Sequence, residues 1–143
     1  MNKPRSKQEA TESRRVLERA LDLVTSSWIR NYEAMDSEGR VVDPRSKGAC
    51  SWCALGAMKR AAREIIPDPD LSYSQRFENC PPVVLAGSVA REMLYEMHRR
   101  AEQWPNWTMK ISTLNDIYGL KREKVEEMFI EAIRRARIEE GVV

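Results

Sequence analysis

Hydrophobic residues recur every three to four positions in five stretches of the chain, with charged and polar residues between them. Residues at this spacing lie on one face of an α-helix, so each stretch predicts a helix with a buried side. Ser6 and Glu9 have the spacing of a capping box at the start of the first stretch, and Gly119 follows the fourth. The predicted helices run over about 7–26, 50–66, 81–103, 108–116 and 121–138.

The hydrophobic period changes to two between the first and second predicted helices. Residues 28–35 alternate as in a β-strand, and residues 36–39 form a turn sequence that ends in Gly39. We therefore expect a small β-hairpin over about 28–42, closed by Asp43-Pro44 and packed on the helices. The pattern as a whole predicts a mainly α fold, a compact bundle of about five helices with this one small hairpin.

Size and charge limit the organisation of the chain. Its 143 residues fit a single helical domain over 1–143, of which we expect 1–6 to be a flexible N-terminus. The net charge of +2 is too small to indicate nucleic-acid binding by itself. The N-terminus lacks an apolar signal segment, and no run approaches the roughly 18 apolar residues of a membrane span. We therefore predict a cytoplasmic location and no membrane partner.

The second predicted helix is apolar on two sides, which indicates that it lies between neighbouring elements. Gly56 lies in its interior, where glycine costs about 1 kcal/mol relative to alanine. A glycine at such a position predicts that another backbone segment approaches the helix closely.

The three cysteines raise the question of a metal or a nucleophile. Cys50 and Cys53 form a Cys-x-x-Cys pair, and Cys80 and His98 complete four candidate zinc ligands. The last two lack the paired spacing of known zinc modules, so we favour a buried inert thiol and no cofactor, with zinc as a minority alternative. No catalytic residue is predicted, because His98 is the only histidine available as a base. An odd cysteine count favours a reducing cytosol.

One group of aromatic and polar residues has two interpretations. The ligand-binding candidates are Trp28, Tyr32, Trp52, Cys53, Asn115 and Asp116. Trp104 and Trp107 add to the aromatic rings that can stack on a base. Aromatic residues of a small helical domain mostly belong to its core, and Asn-Asp at a helix junction commonly bonds free backbone groups. We therefore favour a structural clamp, with a pocket as the alternative.

Arginine-rich segments are the candidates for nucleic-acid binding. They contribute Arg60, Arg63, Arg99, Arg100, Arg134 and Arg135. Acidic residues interleave with most of them, which favours a solvated face of mixed charge. Nucleic acid stays the alternative partner, and it predicts steeply salt-dependent binding.

Several segments together resemble a family of small proteins from bacteria, phages and other mobile elements that carries a domain of unknown function. The segments are Trp28, the turn at Gly39, Val42-Asp43-Pro44, residues 49–58, Leu114-Asn115-Asp116 and residues 125–133. The resemblance extends from Val16 to Arg135, and it departs from the family at Met58, where leucine is usual. It implies a bacterial or phage protein of the cytosol, with Trp28, Cys53, Gly56, Asn115 and Asp116 in one constellation.

These observations favour a non-enzymatic accessory protein that binds a macromolecular partner, first of all a protein. Interference with a host defence system is one setting that the resemblance suggests. The first alternative is a small-ligand-binding protein or enzyme with a pocket around Trp28, Cys53 and Asn115/Asp116. The second alternative is a nucleic-acid binder that uses the arginine-rich helix faces.

Overall fold

The computed structural model describes residues 6–68, 70–71, 75–117 and 119–142. Five α-helices are present in these ranges, and they confirm the mainly α prediction: α1 Lys7–Ser26, α2 Ala54–Ile65, α3 Pro81–Glu96, α4 Trp107–Asp116 and α5 Arg122–Val142. α1 packs against α2 and α5, and α3 packs against α4 and α5. Across the described ranges, no helix combines the length and the apolar character that a membrane span needs.

The first and last helices form the largest helix–helix contact of the core. Their facing sides are buried as the hydrophobic period predicts, through Val16, Leu17, Ala20 and Val24 of α1 and Val125, Met128, Phe129 and Ala132 of α5. α1 begins where the capping box predicts, since the Ser6 hydroxyl accepts the Glu9 amide at 3.1 Å. The predicted flexible N-terminus lies outside the described residues, apart from Ser6, which is this cap.

The small sheet differs from the predicted hairpin. Its strands are β1 Ala34–Met35 and β2 Ser51–Trp52, antiparallel, with Ala34 opposite Trp52. The predicted return segment pairs only through an isolated bridge between Met35 and Val41, across the expected turn. The expected strand over 28–35 is interrupted because Asn31 has a left-handed φ of 72°. The pairing that forms the sheet therefore joins segments that sequence separates by a longer loop.

The second helix begins later than predicted. Ser51 and Trp52 belong to β2, and Cys53 is the N-cap of α2, with its Sγ accepting the Gly56 amide at 3.3 Å. The close approach predicted at Gly56 is confirmed. A Cβ on Gly56 would lie 1.9 Å from the carbonyl oxygen of Glu33, so α2 packs directly on the backbone that leads into β1.

The connection between α3 and α4 also corrects the prediction. α3 ends at Glu96 rather than near 103, and His98 has a left-handed φ of 60°. A short 3-10 turn, Ala101–Gln103, then leads to α4. The Glu78 carboxylate caps α4 by accepting hydrogen bonds from the amides of Trp107 and Thr108 and from the Thr108 hydroxyl. Glu78 belongs to the 3-10 turn Gln75–Asn79, which lies between the second and third predicted helices.

Candidate functional site

Asn115 is the centre of a buried hydrogen-bonded junction. Its Oδ1 accepts the indole N–H of Trp28 at 2.7 Å and the backbone N–H of Ala54 at 2.9 Å. Its Nδ2 donates to the carbonyl oxygen of Ile29 at 3.1 Å and to Oδ1 of Asp116 at 2.8 Å. A primary amide has two acceptor positions and two donor hydrogens, so all of its capacity is used within the fold. The predicted clamp is present, and it ties the end of α4 to the start of α2.

Asp116 continues the junction towards the surface. Its Oδ1 also accepts the backbone N–H of Asn31 at 2.9 Å, which holds the left-handed residue in place. No hydrogen bond to Oδ2 is present among the described residues, and the residue is exposed. Asp116 is therefore engaged through one oxygen and open through the other.

The structure brings together only part of the predicted ligand-binding set. Trp28, Asn115 and Asp116 are joined directly, and Cys53 adjoins them because its neighbour Ala54 is bonded to Asn115. The backbone of Trp52 bridges that of Trp28, but its indole N–H points elsewhere and donates to the carbonyl of Pro44 at 3.1 Å.

Tyr32 is the predicted ligand-binding residue that stands apart from this junction. Its ring is half-exposed at 50%. We infer that the clamp uses the polar atoms of Trp28, Asn115 and Asp116, while Tyr32 contributes to the surface.

The candidate zinc ligands are not gathered. Cys50 and His98 are exposed, whereas Cys53 and Cys80 are buried at the starts of α2 and α3. Within the described ranges, no group of three or more His, Cys, Asp and Glu residues has an arrangement that could hold a metal ion. Burial raises the pKa of the Cys53 thiol to about 11 and that of Cys80 to about 12. At neutral pH both are thiols, which are poor nucleophiles.

The arginines proposed for nucleic-acid binding lie at three places in the fold. Arg60 pairs with Glu64 where α2 meets α1, and Arg135 pairs with Glu92 where α5 meets α3. Arg134 pairs with Glu131 at 2.8 Å, and Arg63 is exposed on α2.

Arg99 and Arg100 differ from the ion-paired arginines. They follow α3, are exposed and have no acidic partner in the part of the chain that the structure describes. They are thus the predicted arginines with open guanidinium groups.

Two open clefts flank the α3–α4 connection. The first, the Trp104 cleft, has a volume of about 460 Å³ and is lined by Arg99, Trp104, Ser112, Thr113, Asp116 and Ile117. The second, the Tyr95 cleft, has a volume of about 530 Å³ and is lined by Arg91, Glu92, Tyr95, Glu96, Ala101, Glu102 and Lys110. The predicted roles of these residues differ: Arg99 is a candidate for nucleic-acid binding, Trp104 a ring for base stacking, and Asp116 part of the clamp or pocket. Nothing in their spacing indicated that one cleft joins them.

Lys110 forms part of the wall between these clefts. It is only 6% exposed, and its amine donates to the carbonyl of Trp104 at 2.6 Å and lies 5.1 Å from the centre of the Trp107 ring. Burial and the neighbouring Arg91 guanidinium lower the pKa of this amine. The Arg91 guanidinium also lies over the Trp107 ring, at 5.6 Å. Two cations therefore lie close to the Trp107 ring, a structural arrangement that hydropathy did not indicate.

Comparison with known proteins places the chain in a family without assigning it an activity. The model of the Family of unknown function (DUF6197) matches residues 8–135. No curated protein and no solved structure matches the chain. The resemblance drawn from the motifs is confirmed as far as membership of an uncharacterised family. The chain belongs to the Family of unknown function (DUF6197).

Proposed function

We propose that this protein is a non-enzymatic accessory protein that acts by binding another protein. The observation that carries the proposal is the saturation of Asn115, whose four hydrogen bonds all end within the fold. The hydrogen-bonding groups of Asn115 are therefore used for architecture, which supports the favoured clamp over the alternative of a pocket. The buried Cys53 thiol, with its raised pKa, adds no nucleophile. Recognition then takes place on the open surface.

The Tyr95 cleft is the surface that we assign to the partner. Tyr95 is 76% exposed and lines the cleft, so its ring is available to a partner. Glu96 and Glu102 line the cleft and have no basic partner among the residues described, whereas Glu92 is paired with Arg135. Because the amine of Lys110 is buried, the open charge of the cleft consists of these two carboxylates and the single guanidinium of the exposed Arg91, so its balance is acidic.

This charge fits a long basic side chain of the partner. An arginine or lysine can lay its stem on the Tyr95 ring and direct its cation towards Glu96 and Glu102. Aromatic and arginine residues are also the commonest anchors of protein interfaces. We therefore propose a partner segment with an exposed basic residue beside apolar ones.

Selection from a random peptide library tests the proposal without knowledge of the partner. Peptides are selected on the wild-type protein and then measured against the double variant Glu96→Lys/Glu102→Lys. The expected result is enrichment of basic residues and at least tenfold weaker binding to the double variant, since like charges now face each other. Glu123→Lys, an exposed change at the start of α5, is the matched control and leaves binding unchanged.

Two results contradict the proposal. One is a selection that yields no specific peptide for the folded protein. The other is a set of peptides whose affinity is the same for wild type, the double variant and Glu123→Lys, because binding would then take place elsewhere.

We further propose the cytoplasm of a bacterium or a phage-infected cell as the setting, with interference with a host defence system as the role. The motif resemblance supports this origin, and the three unpaired cysteines are usual in a reducing compartment. Expression in a bacterial strain that carries a phage defence system is expected to restore phage plating. The Glu96→Lys/Glu102→Lys variant is expected not to restore plating. Equal plating with the wild-type protein and the variant would contradict this role for the cleft.

A further inference from the structure

The Trp104 cleft contains polar groups that the fold leaves unused. Arg99, Ser112, Thr113 and Asp116 all line it. The Arg99 guanidinium, the two hydroxyls and Oδ2 of Asp116 have no hydrogen-bond partner in the described ranges. The neighbouring Asn115, one residue away, is completely saturated. A cleft with a few open polar groups of both charges is typical of a small-ligand site.

An aromatic wall completes the cleft. Trp104 lines it and is partly buried. Its backbone is held by two hydrogen bonds, from its own N–H to the Ala101 carbonyl at 3.1 Å and from the Lys110 amine to its carbonyl at 2.6 Å. An indole on a fixed backbone is a suitable stacking surface for a planar ring, since little conformational freedom is lost on binding.

One guanidinium, that of Arg99, lines the cleft together with its single carboxylate, that of Asp116. Arg99 and Arg100 are adjacent and exposed, without an acidic partner in the described part of the chain. Arg30 precedes Asn31, the residue bonded to Asp116, and its guanidinium lies 5.0 Å from the centre of the Trp28 ring. Its Nε is buried and has no hydrogen-bond partner among the residues that the structure describes. The charge distribution fits a ligand with an anionic group and a hydrogen-bond donor.

We propose that the Trp104 cleft binds a nucleotide whose base carries an exocyclic amino group. The base stacks on Trp104, the amino group donates to Oδ2 of Asp116, and the phosphate binds Arg99. Adenine, cytosine and guanine have such an amino group, whereas uracil has none and offers carbonyl oxygens instead. The cleft volume of about 460 Å³ lies in the range of small-molecule sites. The nucleotide is either free or part of a single strand, because the base edges of a duplex are already paired.

The test compares adenosine and uridine monophosphates with a short oligoadenylate and a short oligouridylate. Binding of the monophosphates is measured by calorimetry, and that of fluorescein-labelled oligonucleotides by anisotropy at low and moderate salt. We expect adenine to bind about tenfold more tightly than uracil, the gain typical of a hydrogen bond to a charged group. Similar affinities of the monophosphate and the oligoadenylate identify a free nucleotide as the ligand. Binding of the oligoadenylate alone identifies a single strand.

Variants of the cleft distinguish base-specific hydrogen bonding from nonspecific electrostatic binding. Asp116→Asn retains an acceptor oxygen for Asn31 and turns the free oxygen into a donor, so it is expected to reverse the preference towards uracil. Arg99→Gln is expected to weaken the binding of every ligand about tenfold. It should also lower the number of counterions released on oligonucleotide binding, measured from the salt dependence of affinity, by about one. Arg15→Gln removes an exposed arginine of α1 that lines neither cleft and is the control with unchanged binding.

Three results overturn the proposal. They are the absence of binding by all four probes, equal affinity for adenine and uracil, and equal losses for Arg99→Gln and Arg15→Gln. Circular dichroism melting curves establish that each variant is folded, so a lost affinity cannot be mistaken for unfolding.

Discussion

The indole N–H of Trp28 donates to Oδ1 of Asn115 at 2.7 Å, across 87 positions of the sequence. The same oxygen accepts the N–H of Ala54 in the first turn of α2, where a helix has free donors. One amide therefore joins the segment after α1, the start of α2 and the end of α4. Because Asn115 is 1% exposed, water cannot replace any of these bonds.

Removal of this amide is expected to destabilise the protein strongly. Asn115→Ala leaves the Trp28 indole and the Ala54 amide without their acceptor, and each buried unsatisfied donor costs about 1–3 kcal/mol. We expect the free energy of unfolding to fall by about 3 kcal/mol, measured by urea denaturation with tryptophan fluorescence. The Ser112 hydroxyl makes no hydrogen bond in the part of the chain that the structure describes, so Ser112→Ala, on the same helix, is the control. A similar loss in both variants would show that α4 tolerates no change, whatever its bonding.

Two glycine-to-alanine substitutions are expected to have opposite effects. Gly56→Ala directs a methyl group at the Glu33 carbonyl, 1.9 Å away, and the backbone has to move. We expect a loss of about 3 kcal/mol, at the upper end for overpacking, although alanine is the better helix former. Gly141→Ala in α5 meets no atom within 4 Å and is expected to raise stability by less than about 1 kcal/mol. Thermal melting of both variants shows whether each is more or less stable than the wild type. A stabilised Gly56→Ala protein would contradict the close approach of α2 to the Glu33 backbone.

Thiol reactivity is expected to differ among the three cysteines. Cys50 is exposed, whereas Cys53 and Cys80 are buried and have raised pKa values. A disulfide reagent at neutral pH should therefore modify one thiol rapidly and the other two only as fast as the protein opens. Cys50→Ser should abolish the rapid phase, and full unfolding of the wild type should release all three. Rapid modification of two thiols in the native protein would contradict the burial of either the Cys53 or the Cys80 thiol.

Alkaline pH is expected to destabilise the fold through the two buried thiols. Their pKa is about 9.0 when unfolded and rises to about 11 for Cys53 and about 12 for Cys80 in the native state. At a pH between the unfolded and the native pKa, a thiol is deprotonated in the unfolded chain and protonated in the native protein. The free energy of unfolding therefore falls as pH rises above 9. Urea denaturation at a series of pH values measures the slope. The free energy of unfolding of the double variant Cys53→Ser/Cys80→Ser should fall less steeply with pH. A fall as steep as that of the wild type would show that other groups cause the loss of stability.

The α4 cap provides a further measurement. Glu78→Ala removes the acceptor of the Trp107 and Thr108 amides, and the loss of a cap costs about 1–2 kcal/mol. Because α4 carries one wall of both clefts, we also expect weaker binding there. Glu38→Ala in the exposed turn is the control for removal of a surface carboxylate. Unchanged stability of Glu78→Ala would mean that water caps the helix equally well.

Much of the fold could be predicted from local pattern. The buried faces of α1 and α5 follow the helical period, and Ser6, Gly39 and Gly119 mark the cap and turns that were expected. The sheet was less predictable, because Ser51 and Trp52 read as part of a helix until Ala34 and Met35 pair with them. Asn115 and Asp116 were recognised as a clamp, and the family resemblance placed Trp28 in the same constellation. The backbone amides of Ala54 and Asn31 were not predicted as their partners.

The sequence by itself determined where helices form and which face of each is buried, because these properties depend on residues three or four apart. The tertiary structure alone decided that Trp28 and Ala54 meet at Asn115, that Glu78 caps α4, and that Asp116 keeps one oxygen free beside Trp104. Single hydrogen bonds between distant residues leave no periodic signal in a chain. Which polar groups are saturated, and which stay open for a ligand, is therefore settled only when the elements pack.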